Sequence, residues 1–168
     1  GLVNAKEDGL TGTVQGWEVQ ASVPFDLFHD SLEGFGMFAS ATFMNGHLDD
    51  GTRVPGLSDE GYQLTAFYEK AGFEFRVSGR KRSDFATETR GLSLSLVETV
   101  DQGGELWDAQ IAYDFSESGI DMLDGLRVTL QGQNLTDEDT LQTNADSREV
   151  TRYQSFGRNF LLGFNYTF

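Results

Sequence analysis

The chain has 168 residues, and its formal net charge of −15 excludes a nucleic-acid surface, which needs clustered Lys and Arg, and opposes binding to an anionic membrane surface. The absence of cysteine rules out a disulfide, a thiolate metal site and a cysteine nucleophile. Hydrophobic residues make up 38% and no run of about 18 apolar residues is present, so no transmembrane helix is predicted, whereas a membrane β-barrel needs no such run.

After a polar segment at residues 1–11, which predicts a loop, apolar and polar residues alternate along most of the chain. A period of two is typical of β-strands with two unlike faces. Seven strands are predicted, at about 14–25, 35–46, 62–70, 73–80, 107–115, 126–133 and 160–168.

The first two strands are joined by a short polar connection at 25–34. In the first strand, Trp17 belongs to the apolar row and Glu18 to the opposite, polar row. Pro24 falls at the end of this strand, where the ladder can lose a donor. A longer loop at 48–61 follows the second strand.

The third and fourth strands are predicted to form a hairpin around the tight turn Ala71-Gly72. Arg76 and Arg80 lie on the polar row of the fourth strand. A long connection at 85–104 follows, with room for strand structure of its own.

A shorter connection at 116–125 separates the fifth strand from the sixth, whose polar row contains Arg127. A polar loop at 137–150 precedes the last strand. One row of that strand carries four aromatic residues, and such a row is either buried against a second layer or turned outward to lipid. Its members are Phe160, Leu162, Phe164, Tyr166 and Phe168.

Longer and shorter connections alternate along the chain, as do the long extracellular loops and short periplasmic turns of outer-membrane barrels. Charged residues lie in the polar rows, where they fit a barrel lumen and the solvated outer face of a sandwich equally well. They are Glu18, Glu69, Glu74, Arg76, Arg80, Asp108, Asp114 and Arg127.

Several segments, in order, resemble a TonB-dependent outer-membrane receptor from about Thr13 to the C-terminus. The stretch 125–137, which ends in Asn-Leu-Thr-Asp, is similar to the penultimate strand of that family. The terminal pattern Gly163-x-x-Tyr166-x-Phe168 resembles the signal by which the barrel-assembly machinery recognises such proteins. The other matching segments are 13–19, 55–58, Arg152-Tyr153 and Gly157-Arg158.

The resemblance implies an antiparallel transmembrane β-barrel segment, about seven strands of a barrel of roughly 22. Residues 1–168 are expected to be the C-terminal portion of the receptor barrel, with the plug domain and the N-terminal strands lying outside this sequence. Parity agrees, because seven strands would leave two unpaired edges and single-chain bacterial barrels have even strand numbers.

The function implied by the resemblance is active uptake of a scarce small-molecule solute, such as a siderophore, a vitamin or an oligosaccharide. The expected location is the outer membrane of a Gram-negative bacterium. The expected partners are the TonB complex, reached through the plug, together with lipopolysaccharide, outer-membrane lipid and the barrel-assembly machinery. Nucleic acid and a resident cofactor are not expected.

Two other classes of protein fit the same residues. One is a passive, porin-like or structural outer-membrane barrel without energy coupling. The other is a soluble β-sandwich binding domain, in which the aromatic rows would pack against one another.

The candidate ligand-path residues are four charged side chains of the polar rows: Glu18, Arg76, Arg80 and Arg127. Pairing across strands is the competing role for Glu18, Arg76 and Arg127. Arg80 is part of the basic cluster Arg80-Lys81-Arg82, for which two roles are open: a solvated strand end, which is the simpler interpretation, and attraction of an anionic substrate or a lipopolysaccharide phosphate.

Enzyme chemistry is not predicted, because His29 and His47 are isolated and no nucleophile or phosphate-loop motif occurs. The acidic runs at 49–50 and 137–139 offer oxygen ligands for Ca²⁺, although solvated loop carboxylates explain them as well.

Overall fold

A computed structural model describes residues 11–90 and 96–167 as an antiparallel all-β protein. No helix in these residues is long and apolar enough to cross a membrane. The strands are β1 (Gly12–Pro24), β2 (Phe35–Leu48), β3 (Glu60–Lys70), β4 (Phe73–Arg82), β5 (Phe85–Arg90), β6 (Leu96–Asp101), β7 (Glu105–Asp114), β8 (Leu126–Gln133), β9 (Thr140–Asn144), β10 (Val150–Gln154) and β11 (Asn159–Tyr166).

Seven of the strands form a main sheet in the order β1-β2-β3-β4-β7-β8-β11, and these are the seven predicted from the alternation. The sheet is open, with β1 and β11 at its two edges. The other four form a second sheet in the order β10-β9-β6-β5. The strand structure foreseen within 85–104 is therefore confirmed as β5 and β6.

The interpretation of 137–150 as a polar loop was wrong in part, because it contains β9, and β10 follows from Val150. The side chains of β9 are almost all polar and give no alternating signal. This strand forms because its backbone pairs with β6 and β10, a non-local interaction that sequence periodicity does not report.

The register keeps the predicted apolar row on one face of the main sheet from edge to edge. A line of directly opposed residues crosses the sheet on this apolar face: Ala21, Ala39, Leu64, Gly79 and Trp107. The polar row lies on the other face, where Ser22, Phe38, Thr65, Ser78 and Asp108 are opposed in the same way.

The second sheet leaves the apolar face uncovered. Trp17 is 81% exposed and Phe164 is 69% exposed, while the buried hydrophobic residues are only Leu48, Ala86 and Ala112 among those described. A soluble sheet normally buries such a face, so an apolar environment has to cover this one.

The connections sort the sheet into two ends. At the short-connection end, 25–34 and 115–125 each contain two 3-10 turns, and Ala71-Gly72 turns tightly with positive φ at both residues. Two positive φ angles are typical of a type I′ hairpin. The long-connection end carries 49–59, 83–104 and 134–158, and the last two contain the strands of the second sheet.

Gly125 is a position where glycine is required twice over. Its φ is +80°, and an added Cβ would overlap the carbonyl oxygen of Thr167. Gly125 also accepts a hydrogen bond from the N–H of Thr167 (2.9 Å), which holds the chain end against β8. We therefore expect Gly125→Ala to lower the free energy of unfolding by more than the ~1–2 kcal/mol due to a left-handed non-glycine residue.

Gly119 provides the control for this substitution. Its φ is +70°, yet nothing lies within 4 Å of the position of its missing Cβ. Gly119→Ala should therefore show the conformational cost alone. Urea unfolding of both variants measures the difference, and equal losses would contradict the steric role of Gly125.

Candidate solute site at the long-connection end

The connections that carry the second sheet are tied to the main sheet by backbone hydrogen bonds at the ends of its strands. At the end of β4, the N–H of Arg82 donates to the carbonyl of Gly104 (3.2 Å). After β8, the N–H of Leu135 donates to the carbonyl of Trp107 (2.7 Å). The long connections are thus held at defined positions above the strand ends.

Asn134 closes the connection that contains β9 and β10. Its Nδ2 donates to the carbonyls of Glu138 (3.0 Å) and Gly157 (3.1 Å), and its Oδ1 accepts from the N–H of Glu138 (2.8 Å). Only 9% of Asn134 is exposed. The Asn-Leu-Thr-Asp turn therefore brings the start and the end of this connection together.

A cavity of about 420 Å³ lies where β4, the connection after it and the β9–β10 hairpin meet, and we call it the mouth cavity. Its volume falls within the range of small-molecule sites. Arg80 belongs to the polar face of the main sheet, opposite Gln63 and Leu106, whereas Arg152 comes from β10. The charged residues that line it are Arg80, Lys81, Arg82, Asp101, Glu138, Asp139 and Arg152.

Arg82 is anchored in the wall of this cavity by neutral groups. Its Nε donates to Ser58 Oγ (2.9 Å), a terminal nitrogen donates to the carbonyl of Gly56 (3.4 Å), and its Cζ lies 3.8 Å from the ring centre of Phe85. A hydroxyl, a carbonyl and an aromatic face fix the guanidinium and leave its full positive charge.

Arg80 and Arg152 make no ion pair and no side-chain hydrogen bond with any residue that the structure describes. Both are exposed. Two of the three carboxylates that line the cavity are engaged elsewhere, because Asp101 accepts from Gln142 Nε2 (3.2 Å) and Asp139 accepts from the hydroxyl of Tyr153 (2.6 Å). The mouth cavity therefore presents two guanidinium groups with unused donors.

The contact between Asp139 and Tyr153 shifts the pKa values of both side chains. The hydrogen bond from Tyr153 lowers the pKa of Asp139, and the hydrogen bond to Asp139 raises the pKa of Tyr153. The contribution of Asp139 to stability is lost as the pH falls through its lowered pKa, and that of Tyr153 is lost as the pH rises through its raised pKa. The contact consequently persists from below the usual aspartate range to above the usual tyrosine range.

We expect Asp139→Asn to return the pKa of Tyr153 toward about 10, because the charged acceptor is removed. Alkaline absorbance titration measures this, and the difference between a protein and its Tyr153→Phe variant isolates this phenol from the other tyrosines. Asp146→Asn removes an equal charge from the exposed turn between β9 and β10 and should leave Tyr153 unchanged. An identical response to both substitutions would show that net charge, not the hydrogen bond, sets the pKa.

Of the four predicted ligand-path residues, the mouth cavity contains Arg80. Glu18 lies on the polar face of β1 opposite Thr42, and Arg76 lies on the polar face of β4 between Phe67 and Gln110. Both are exposed and make no ion pair within the described residues.

Arg127 is committed to an ion pair. Its two terminal nitrogens donate to the two carboxylate oxygens of Glu74, each at 2.6 Å. Arg127 is opposite Asp114 of β7 and Glu74 is opposite Ala112 of the same strand, so the ion pair spans β7. The cross-strand role considered for Arg127 therefore describes its contact in this structure.

Sequence reasoning did not select Arg152 as a site residue. Arg152-Tyr153 was noted only as one of the segments that resemble the family. Nothing in the local sequence indicates that β10 lies beside β4. The predicted assembly signal includes Gly163, opposite Thr129, and Tyr166, opposite Leu126, both on edge strand β11. Phe168 lies outside the described residues.

Four of the five carboxylates in the two acidic runs considered for calcium have partners within the protein, and in the second run Asp137 lies 3.9 Å from Arg158 and Asp139 accepts from Tyr153. Asp50 Oδ1 accepts from the backbone N–H of Thr52 (2.9 Å) and from its hydroxyl (2.6 Å), and Asp49 accepts from Thr11. Within residues 11–90 and 96–167, no group of three or more potential ligands is placed to hold a metal ion.

Comparison of the sequence with family models and with curated proteins finds no match. Among solved structures, the fold is similar to that of the ferric citrate transporter FecA in its unliganded form, with a TM-score of 0.69 and 22% sequence identity. The similarity covers 94% of this chain and 24% of the transporter's chain, so this chain spans about a quarter of that protein. At this identity the comparison speaks for the fold alone, and it confirms the predicted architecture: an antiparallel β-barrel segment.

Proposed function

We propose that this chain forms part of the wall of an outer-membrane transporter that takes up a small solute with energy delivered through TonB. The observation that carries the proposal is the seven-stranded sheet, whose uncovered apolar face and charged opposite face persist across every strand pair. Lipid would cover the first face and an aqueous passage the second.

Aromatic residues at both ends of the apolar face support the lipid-facing role. Near the short-connection end, Phe35 packs on Tyr68 with ring centres 4.4 Å apart. Near the other end, Phe43 packs edge-on against Tyr62 at 5.8 Å. Along β2, the nine residues from Phe35 to Phe43 span about 26 Å, and a strand tilt of ~40° reduces this to roughly 20 Å, near the ~25 Å apolar band of outer-membrane barrels.

The open edges support the view that this sheet is part of a larger wall. In hydrocarbon, the unpaired backbone groups of β1 and β11 would each cost several kcal/mol, so a membrane-spanning sheet has to close on further strands. We propose that those strands belong to the same polypeptide, as does a plug that contacts TonB.

A passive pore is the second candidate, since the same wall suits both. The soluble sandwich receives less support, because the second sheet leaves Trp17 and Phe164 exposed on the apolar face.

The test starts from the native polypeptide. Its intact mass is measured in separated membrane and soluble fractions, and its contact with TonB is tested by cross-linking in cells. A TonB cross-link to an outer-membrane protein several times heavier than 18.6 kDa supports active transport. A stable open conductance in planar bilayers without a TonB cross-link would favour the passive pore, and recovery as a soluble 18.6 kDa protein would overturn both.

A further inference from the structure

We propose that the mouth cavity binds an anionic solute, with two or more carboxylate or phosphate groups, through the guanidinium groups of Arg80 and Arg152. This inference rests on the proposed transport function and names the class of its cargo.

The first argument is that these arginines lack partners in a protein rich in carboxylates. The chain has 27 acidic and 12 basic residues, so carboxylate partners for an arginine are plentiful. Five basic side chains do pair with carboxylates: Arg53, Lys70, Lys81, Arg127 and Arg158. Arg80 and Arg152 stay unpaired although three carboxylates line the same cavity.

The second argument concerns those carboxylates. Asp139 accepts a short hydrogen bond from Tyr153, and Asp101 accepts from Gln142. Neutral donors of the second sheet thus engage these two acids and leave the arginine donors to a ligand. A guanidinium presents a planar fork of donors that matches a carboxylate or a phosphate in a bidentate contact.

The third argument is that the cationic groups are carried by fixed elements. Arg80 stands on β4, between β3 and β7 in the main sheet, and Arg152 stands on β10. Arg82, two residues after Arg80, is anchored by contacts with Ser58 and Phe85. Strand pairing fixes the backbone of both arginines, so binding has to order only their side chains.

The contacts also predict what the ligand would do to the protein. Arg80 belongs to the main sheet and Arg152 to the second sheet, so one anion that reaches both links the two sheets. Ligand binding should consequently protect β10 against hydrogen exchange more than it protects edge strand β1, which lies far from the cavity in the strand order.

The experiment measures binding to the native, full-length polypeptide in detergent by calorimetry. Tricarballylate is the carboxylate probe, pyrophosphate the phosphate probe and maltotriose the neutral probe. We expect at least one anion to bind, with an affinity that falls as salt is added, and maltotriose to bind far more weakly. Arg80→Gln and Arg152→Gln should each lower the affinity for the anion roughly tenfold or more.

Arg148→Gln is the matched control. It removes the same charge from the turn of the β9–β10 hairpin, outside the lining of the cavity, and should change the affinity little. Unchanged unfolding midpoints establish that the variants fold. The inference is overturned if neither anion binds, if both cavity variants bind the anion normally, or if all three arginine substitutions lower the affinity for the anion equally.

The two proposals fail in different ways. Anion binding that depends on Arg80 and Arg152, without a TonB cross-link in cells, would reject active transport and keep the site. A TonB cross-link together with binding of maltotriose alone would keep the transporter and reject the anionic cargo.

Discussion

Replacing Leu130 by arginine should lower the free energy of unfolding in lipid vesicles by about 2–4 kcal/mol, the cost of a charged side chain at the lipid-facing midplane of a barrel. Leu130 lies in the middle of β8, on the apolar face, directly opposite Ile111 on one side and Leu162 on the other. It is 47% exposed because no protein layer covers it. In a membrane, a charged guanidinium would replace an apolar side chain that contacts lipid.

Gln131→Arg is the control, since Gln131 follows Leu130 in the same strand and belongs to the polar face. Its cross-strand neighbours are Gln110 and Leu161, and the new charge would face the aqueous side. We expect a change within about 0.5 kcal/mol, as for ordinary surface substitutions. A larger loss for Gln131→Arg would show that the two faces are reversed, and two small losses would show that no lipid covers Leu130.

The faces were predictable from sequence because side chains alternate strictly along a strand. That rule places Leu130 and Gln131 on opposite faces without any knowledge of the neighbouring strands. The tight turn at Ala71-Gly72 was equally local, since two residues separate the paired strands. These features depend on short-range geometry, which the sequence states directly.

The second sheet and the mouth cavity were not predictable in this way. The polar strand β9 is defined by pairing with β6, about 40 residues earlier, and Arg152 reaches the cavity only through that pairing. Arg80 was selected because it ends a strand in a basic cluster, a local signal. The partner that makes the cavity depends on how two long connections meet, and no periodicity encodes that arrangement.

The ion pair between Arg127 and Glu74 gives the second large expected effect. Both oxygens of the carboxylate accept from the guanidinium at 2.6 Å, and the side chains of Arg127 and Glu74 are 34% and 30% exposed. Removing one partner of a fully buried pair costs ~3–5 kcal/mol, and exposed pairs contribute ~1 kcal/mol or less. For this half-buried pair we expect Glu74→Ala to lower the free energy of unfolding by roughly 1–3 kcal/mol.

A double-mutant cycle separates the pair from the individual side chains. Glu74→Ala and Arg127→Ala together should cost less than the sum of the single losses, because either one already breaks the contact. Glu18→Ala is the control on the same face, since Glu18 makes no ion pair within the described residues, and it should be nearly neutral.

The same cycle tests the role of Arg127 in the passage. While Glu74 holds both terminal nitrogens, Arg127 has few donors left for a solute, so Arg127→Ala should reduce stability and leave anion affinity at the mouth cavity unchanged. If the coupling energy is near zero and Arg127→Ala instead lowers the affinity for the anion, the ion pair is not maintained in the membrane. Arg127 would then be a ligand-path residue, as its position in the polar row first suggested.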